Sequence, residues 1–273
     1  MSVRAALAST RAEGRAALVG YLPAGFPTVE GSIAALQAMV AAGVDVVEVG
    51  LPYSDPVMDG PTIQRATEAA LAGGTRTADT FRVVEAVAAT GVPTLVMTYW
   101  NPVERFGVDR FAGRLAAVGG AGLITPDLIP DEAADWVAAS DTHDLDRVFL
   151  VAPSSTQARI ESTVAACRGF VYATAVMGVT GAREAISTDA PTLVMRTRRI
   201  ADAAGLPVGV GLGVSNGAQA AEVGAFADAV IVGSAFVRRL LDAGADRGAG
   251  IAAVTELSRD LAGGVRGAAE APA

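Results

Sequence analysis

The sequence predicts a single (β/α)8 barrel, or TIM barrel, with an extra helix at its N-terminus. Eight short apolar runs alternate along the 273 residues with segments whose apolar residues follow helical spacing. That alternation is typical of a parallel sheet covered by helices, and the count of eight favours closure into a barrel. An open, doubly wound sheet remains the alternative, because periodicity does not show whether a sheet closes.

The predicted strands are short and apolar, as expected of parallel strands that are buried on both faces. In chain order they are Ala17–Tyr21, Val44–Val49, Thr94–Thr98, Gly122–Thr125, Arg147–Ala152, Gly169–Ala173, Pro207–Val210 and Ala229–Val232.

The predicted helices have apolar residues at helical spacing, and several of them end at a glycine. Residues 1–15 lack the apolar core of a signal peptide and are predicted to form a short amphipathic helix. The others are Val29–Ala42, Thr62–Leu71, Ala78–Ala89, Val108–Ala117, Asp131–Ala139, Gln157–Ala166, Pro191–Ala203, Ala218–Val223 and Gly250–Leu261. We expect residues 1–273 to form one barrel domain, with a frayed tail over residues 263–273.

The composition excludes several classes of function. All 21 basic residues are arginines, so no lysine can hold a pyridoxal cofactor or a substrate carbonyl as an imine. His143 is the single histidine and Cys167 the single cysteine, so we expect no metal site and no internal disulfide. A single cysteine also fits the reducing cytoplasm. The net charge of -8 argues against nucleic acid as partner, and no apolar stretch has membrane-spanning length. Proton chemistry therefore falls to Asp, Glu, Tyr or water.

Two carboxylates stand out between Val44 and Gln64. Glu48 ends an apolar strand, where barrels keep their chemistry, and burial there would raise its pKa toward neutrality. The alternative for Glu48 is a structural acid paired with an arginine or with backbone N–H groups. Asp59 follows in the loop, directly before Gly60 and Pro61, and its alternative is a helix N-cap.

Glycine-containing turns follow the last two predicted strands, at residues 209–215 and 233–235. N–H groups at the start of a helix bind phosphate without a basic side chain, and barrels bind phosphate after strands seven and eight. We expect each turn to open a helix and the two turns to share a phosphate. The alternative is that the glycines only make tight turns.

Three further features lie at predicted strand ends. Gly178–Gly181 falls in the long loop 177–188, where glycines suit a hinged lid but, taken alone, indicate an ordinary surface loop. Tyr172, and Tyr99 with Asn101, are expected to face the same barrel mouth, or else to pack at its rim.

The stretch Glu48–Gln64 resembles the corresponding stretch of the tryptophan synthase alpha subunit family. Its Ser54-Asp55-Pro56 and Asp59-Gly60-Pro61 triplets are the most specific part of the similarity, which covers nearly the whole chain. Other segments occur in that family's order and spacing: Pro23–Pro27, Tyr99–Pro102, Gly178–Gly181, Gly211–Ser215 and Gly233–Ala235.

The resemblance implies an enzyme of tryptophan biosynthesis that cleaves indole-3-glycerol phosphate to indole and glyceraldehyde 3-phosphate. It places the general acid/base at Glu48 and the acceptor of the indole N–H hydrogen bond at Asp59. It implies no metal or organic cofactor in this subunit, and a pyridoxal-dependent beta subunit as partner in an α2β2 complex, with Asp55 and Pro56 on the interface side. The substrate-binding residues that it implies are Tyr21, Tyr172, Thr180, Gly181, Gly211, Gly213, Gly233 and Ser234.

Three residues depart from the family's usual pattern. Met58 stands where a small residue is usual, Ala175 where serine is common, and Tyr21 where phenylalanine is usual. Two other functions stay open on the residues alone. One is an isomerase or epimerase barrel for sugar phosphates, which would need a lysine, a histidine pair or a metal. The other is a non-catalytic barrel that binds a phosphorylated ligand or a partner subunit.

Overall fold

The computed structural model describes residues 2–174 and 189–267. The strands are β1 (Ala17–Pro23), β2 (Val46–Gly50), β3 (Thr94–Met97), β4 (Gly122–Ile124), β5 (Asp146–Val148), β6 (Leu150–Val151), β7 (Val171–Thr174), β8 (Val208–Gly211) and β9 (Ala229–Val232). They form one sheet in the order β5-β4-β3-β2-β1-β9-β8-β7-β6, and every neighbouring pair is parallel.

The sheet closes because β5 and β6 are two parts of one barrel strand, interrupted at Phe149. The first part pairs with β4 and the second with β7, while β1 pairs with both β2 and β9. Eight strand positions therefore surround the barrel, as the sequence predicts, and the open-sheet alternative is wrong. Each predicted strand lies within two residues of the observed one.

Twelve helices accompany the strands in the described part of the chain. They are α1 (Val3–Ala12), α2 (Val29–Ala41), α3 (Pro61–Ala72), α4 (Thr77–Ala88), α5 (Trp100–Phe106), α6 (Val108–Ala117), α7 (Ala134–Thr142), α8 (Gln157–Ala166), α9 (Asp189–Ala201), α10 (Gly217–Gly224), α11 (Ser234–Ala243) and α12 (Arg247–Gly267). None of these helices is both long and apolar enough to cross a membrane.

Helix α5 is missing from the sequence prediction. Its N-terminus is stabilised by Asp127, whose carboxylate oxygens accept from the Trp100 N–H at 2.9 and 3.1 Å. Pro102 fits the first turn because proline lacks a backbone N–H, and the N–H groups of the first turn have no intrahelical acceptor in any case. Another difference is a 3-10 turn at Pro130–Glu132, which delays the start of α7 to Ala134, three residues beyond the predicted start.

The predicted frayed tail is wrong for residues 263–267, which continue helix α12. Val265 is fully buried, and Gly264 lies so close to the Gly217 backbone that a Cβ there would come within 2.0 Å of its carbonyl oxygen. The Asp260 carboxylate also accepts from the Gly217 N–H at 2.7 Å. These contacts hold α12 against α10, and residues 268–273 lie outside the described part of the chain.

Helix α1 closes the amino end of the barrel. Its residues Val3, Ala6 and Leu7 belong to the apolar cluster that fills the barrel interior, separate from the larger cluster that includes outer-helix residues. The Val3 N–H also donates to the Asp146 carboxylate at 3.3 Å. The predicted N-terminal helix is confirmed, and the carboxyl end of the barrel is left for a pocket.

Candidate active site

A pocket opens at the carboxyl ends of the strands, as the barrel prediction requires. Among the described residues, two acidic side chains line it, Glu48 and Asp59, and no arginine does. The lining residues are Tyr21, Glu48, Leu51, Met58, Asp59, Ile63, Thr67, Met97, Thr98, Tyr99, Pro126, Tyr172, Thr174, Gly211, Leu212, Gly213, Ile231, Gly233 and Ser234.

Glu48 lies on β2, in register with Tyr21 on β1. Its side chain is buried, with 1% of the residue exposed, and within the described residues its Oε1 has no hydrogen-bond partner. Burial raises the pKa of Glu48 to about 8, because the charged form loses its hydration. An arginine-paired structural acid would have the opposite shift, so the geometry favours a group that exchanges protons near neutral pH.

Asp59 is not the cap of helix α3. Gly60 occupies the N-cap position and Pro61 begins the helix, whereas the Asp59 Oδ1 accepts a hydrogen bond from the Tyr99 hydroxyl at 3.0 Å. Burial raises the pKa of Asp59, and the Tyr99 hydrogen bond acts in the opposite direction. The N-cap alternative is therefore wrong, and the carboxylate points into the pocket.

Two tyrosines fit into spaces left by glycines. A Cβ at Gly50 would lie 2.3 Å from the Tyr21 hydroxyl, and a Cβ at Gly211 would lie 2.4 Å from the Tyr172 hydroxyl. Burial raises the pKa of both tyrosines, and the nearby carboxylates raise it further, Asp59 and Glu48 for Tyr21 and Glu48 for Tyr172. Gly211 thus ends β8 as a packing partner of Tyr172, a role that the sequence analysis missed.

The two glycine turns differ from each other. Gly213 has a left-handed φ of 74°, and the predicted helix follows this turn, since α10 begins at Gly217, one residue before the predicted start. The Asn216 side chain caps this helix by accepting from the Gln219 N–H. Gly233, by contrast, is the N-cap of α11, Ser234 is its first residue, and no described side chain caps this end. Its N-terminal N–H groups therefore face the pocket without a side-chain acceptor among the described residues.

The remaining predicted residues are scattered. Asp55 is exposed and accepts from the Ser54 hydroxyl at 2.6 Å, and Pro56 is half-buried beside Val57, which is 74% exposed. Asn101 is exposed on α5 and does not line the pocket. Thr180, Gly181, Ala175 and the proposed lid 177–188 lie outside the described residues.

Several pocket residues were not singled out from the sequence. Apolar examples come from different elements or their flanking loops: Leu51, Ile63, Met97, Pro126 and Ile231. An apolar residue at the end of a strand looks the same in sequence whether it faces the core or a pocket, so no local signal distinguishes them.

A closed barrel with one buried and one half-buried carboxylate at its mouth defines a (β/α)8-barrel enzyme whose pocket offers acids for proton chemistry. Residues 7–266 match the family described as tryptophan synthase alpha chain, and the chain belongs to that family. The tryptophan synthase alpha chain of Salinispora arenicola is 68% identical over 256 residues, 94% of each chain. That of Acidothermus cellulolyticus is 63% identical over 265 residues, 97% of each chain. A solved structure of Mycobacterium tuberculosis tryptophan synthase superposes with a TM-score of 0.90 at 57% identity, covering 97% of this chain and 98% of that one.

Proposed function

We propose that Glu48 and Asp59 carry the reaction of this family in this chain: cleavage of indole-3-glycerol phosphate to indole and glyceraldehyde 3-phosphate. The observation that supports these roles is the placement of both carboxylates, each with a raised pKa, in one pocket at the barrel mouth. Released indole, measured with the purified chain and indole-3-glycerol phosphate, tests the activity. No indole release by the folded chain would contradict it.

Glu48 serves as acid and then as base. In its protonated form it delivers a proton to ring carbon C3, and as a carboxylate it then removes the proton from the hydroxyl on the adjacent side-chain carbon. The carbon–oxygen double bond forms as the bond between C3 and the side chain breaks. The electron pair of the broken bond returns to the indole ring. A pKa of about 8 suits both steps near neutral pH.

Asp59 stabilises the intermediate between these two steps. Protonation at C3 leaves positive charge on the ring nitrogen, and an ionised carboxylate that accepts the ring N–H offsets it. Because Asp59 is half-buried in the pocket, this fixed charge acts more strongly than it would in solution.

The phosphate binds to backbone N–H groups at Gly213, Gly233 and Ser234. The uncapped N-terminus of α11 supports this, as does the lack of an arginine among the described lining residues. Addition of glycerol 3-phosphate to the 15N-labelled chain is expected to shift these three amide signals. The Ser234→Ala variant keeps its N–H groups and is expected to lose at most about tenfold in affinity. Signal shifts that centre on arginines away from the pocket would contradict this prediction.

The chain passes indole to a pyridoxal-dependent beta subunit in an α2β2 complex and works without a cofactor of its own. The absence of lysine supports the second point, since the chain offers no amine for an imine. We place the complex in the cytoplasm, which agrees with the single, buried cysteine.

Asp55 and Pro56 face this partner. They lie on the same loop as Asp59, and the adjacent exposed Val57 offers an apolar contact. The Asp55→Ala variant is expected to keep its basal cleavage rate but to be stimulated less by added beta subunit. The reason is that the docked partner then fixes the loop that carries Asp59 less well. Loss of basal cleavage, or full stimulation, would contradict this role.

The two alternatives are weaker. Isomerase and epimerase barrels need a lysine, a histidine pair or a metal, whereas His143 lies at the end of α7 against the exposed Asp109. A non-catalytic barrel gives no reason for a buried Glu48 whose Oε1 has no hydrogen-bond partner among the described residues.

A further inference from the structure

Tyr99 makes two hydrogen bonds to the loop that carries Asp59. Its hydroxyl donates to the Asp59 Oδ1 at 3.0 Å and accepts from the Met58 N–H at 3.0 Å. The backbone N–H can only donate, so the hydroxyl proton is left for the carboxylate. The side chain thus fixes both the loop backbone and the carboxylate with one oxygen atom.

Tyr99 itself is held firmly. It is 6% exposed, lies two residues beyond the end of β3, and provides the N-cap position of α5. The Thr98 hydroxyl donates to the Tyr99 carbonyl at 3.0 Å, and the Tyr53 ring packs against the Tyr99 ring with centroids 5.5 Å apart. The loop is anchored less well on its outer side, where Val57 is 74% exposed.

We propose that Tyr99 is a positioning residue that holds the Asp59 carboxylate over the pocket in its ionised form. The inference rests on the proposed role of Asp59 in stabilising the positive indole ring. A hydrogen bond from a neutral hydroxyl is stronger to a carboxylate than to a carboxylic acid, so Tyr99 favours the form of Asp59 that the reaction needs.

The surroundings of Asp59 support this reading. Among the described residues, the other titratable groups that line the pocket are Glu48, Tyr21, Tyr99 and Tyr172. None of them is positively charged, and burial raises the pKa of Asp59, so within this set the Tyr99 hydroxyl is the group that lowers it. Without the hydroxyl, the pKa of Asp59 is expected to rise.

The test compares Tyr99→Phe with Tyr53→Phe in the full-length chain. Each variant loses one hydroxyl and keeps its ring, but the Tyr53 hydroxyl makes no hydrogen bond to the residues that the structure describes. Tyr99→Phe is expected to lower kcat by roughly 10- to 100-fold, the size of effect that follows from a catalytic group displaced by about 1 Å, with a smaller change in KM. The acid limb of its kcat profile is expected to move to higher pH, while Tyr53→Phe stays close to the parent chain.

A 13C NMR titration of the Asp59 carboxyl provides a readout that does not depend on activity. It is expected to show a higher pKa in Tyr99→Phe than in the parent chain and in Tyr53→Phe. An unchanged kcat and an unchanged Asp59 titration in folded Tyr99→Phe would overturn the positioning role while leaving the proposed function in place. If instead the parent chain released no indole, the proposed function would fail, and the titration would still decide whether Tyr99 controls Asp59.

Discussion

The Glu48→Gln variant is expected to form indole at least ~100-fold more slowly than the parent chain, the usual contribution of a general acid–base group. The amide matches the carboxyl group in size but neither delivers nor removes a proton at neutral pH. Among the described residues, the other carboxylate in the pocket is Asp59, which accepts from Tyr99, and the buried Asp146 of β5 lies outside the pocket against α1, so neither is placed to replace Glu48. Steady-state indole release at saturating substrate measures the effect, and a rate within a fewfold of the parent would exclude Glu48 as the acid/base.

The same substitution is expected to stabilise the fold above pH 8. The pKa of Glu48 rises from 4.5 to about 8 on folding. Between these pH values Glu48 is ionised in the unfolded chain but protonated in the folded one, so the free energy of unfolding falls as the pH rises. The total decrease is on the order of 4 to 5 kcal/mol once the pH exceeds 8. Gln removes this penalty.

Denaturant unfolding of Glu48→Gln and the parent chain at pH 5.5 and pH 8.5 measures this effect. The stability advantage of the variant is expected to be larger at pH 8.5. An equal difference at the two pH values would mean that Glu48 titrates normally in the fold, and that its proposed chemistry near neutral pH lacks a basis.

The Asp59→Asn variant is also expected to lose at least ~100-fold in activity, comparable to the loss of a preorganised group that stabilises developing charge. Asn still accepts the Tyr99 hydrogen bond and the indole N–H, but it carries no charge to offset the positive ring. Because Gly60 caps helix α3, the variant should fold with an unchanged thermal midpoint. Near-normal indole release from the folded variant would show that the charge of Asp59 is not needed.

The sequence predicted the barrel well because its signals are local. A strand that is buried on both faces must be apolar along its length, so all eight strands were found from short apolar runs. Strand β2 was found with Glu48 inside it for the same reason: one acid in an apolar run stands out.

What the sequence could not show depends on contacts between distant residues. The partner of Asp59 is Tyr99, 40 positions along the chain, and nothing near Asp59 distinguishes that contact from a helix cap. Likewise, Gly50 and Gly211 resemble turn glycines, whereas the structure uses them to seat the Tyr21 and Tyr172 hydroxyls. Helix α5 was missed, although a proline in a first turn costs little.

Closure of the barrel bears on how the protein is made. Strand β1 pairs with β9, and α12 packs against α2, α10 and α11. Elements early in the chain therefore lack these contacts until elements synthesised much later are available. During translation β1 therefore has an unpaired edge until residues 229–232 leave the ribosome, and such edges invite association with other chains. Pairing over so large a sequence separation also favours slow folding. The nascent chain is thus most exposed to aggregation just before the barrel is complete, which is the stage at which chaperone binding would matter most.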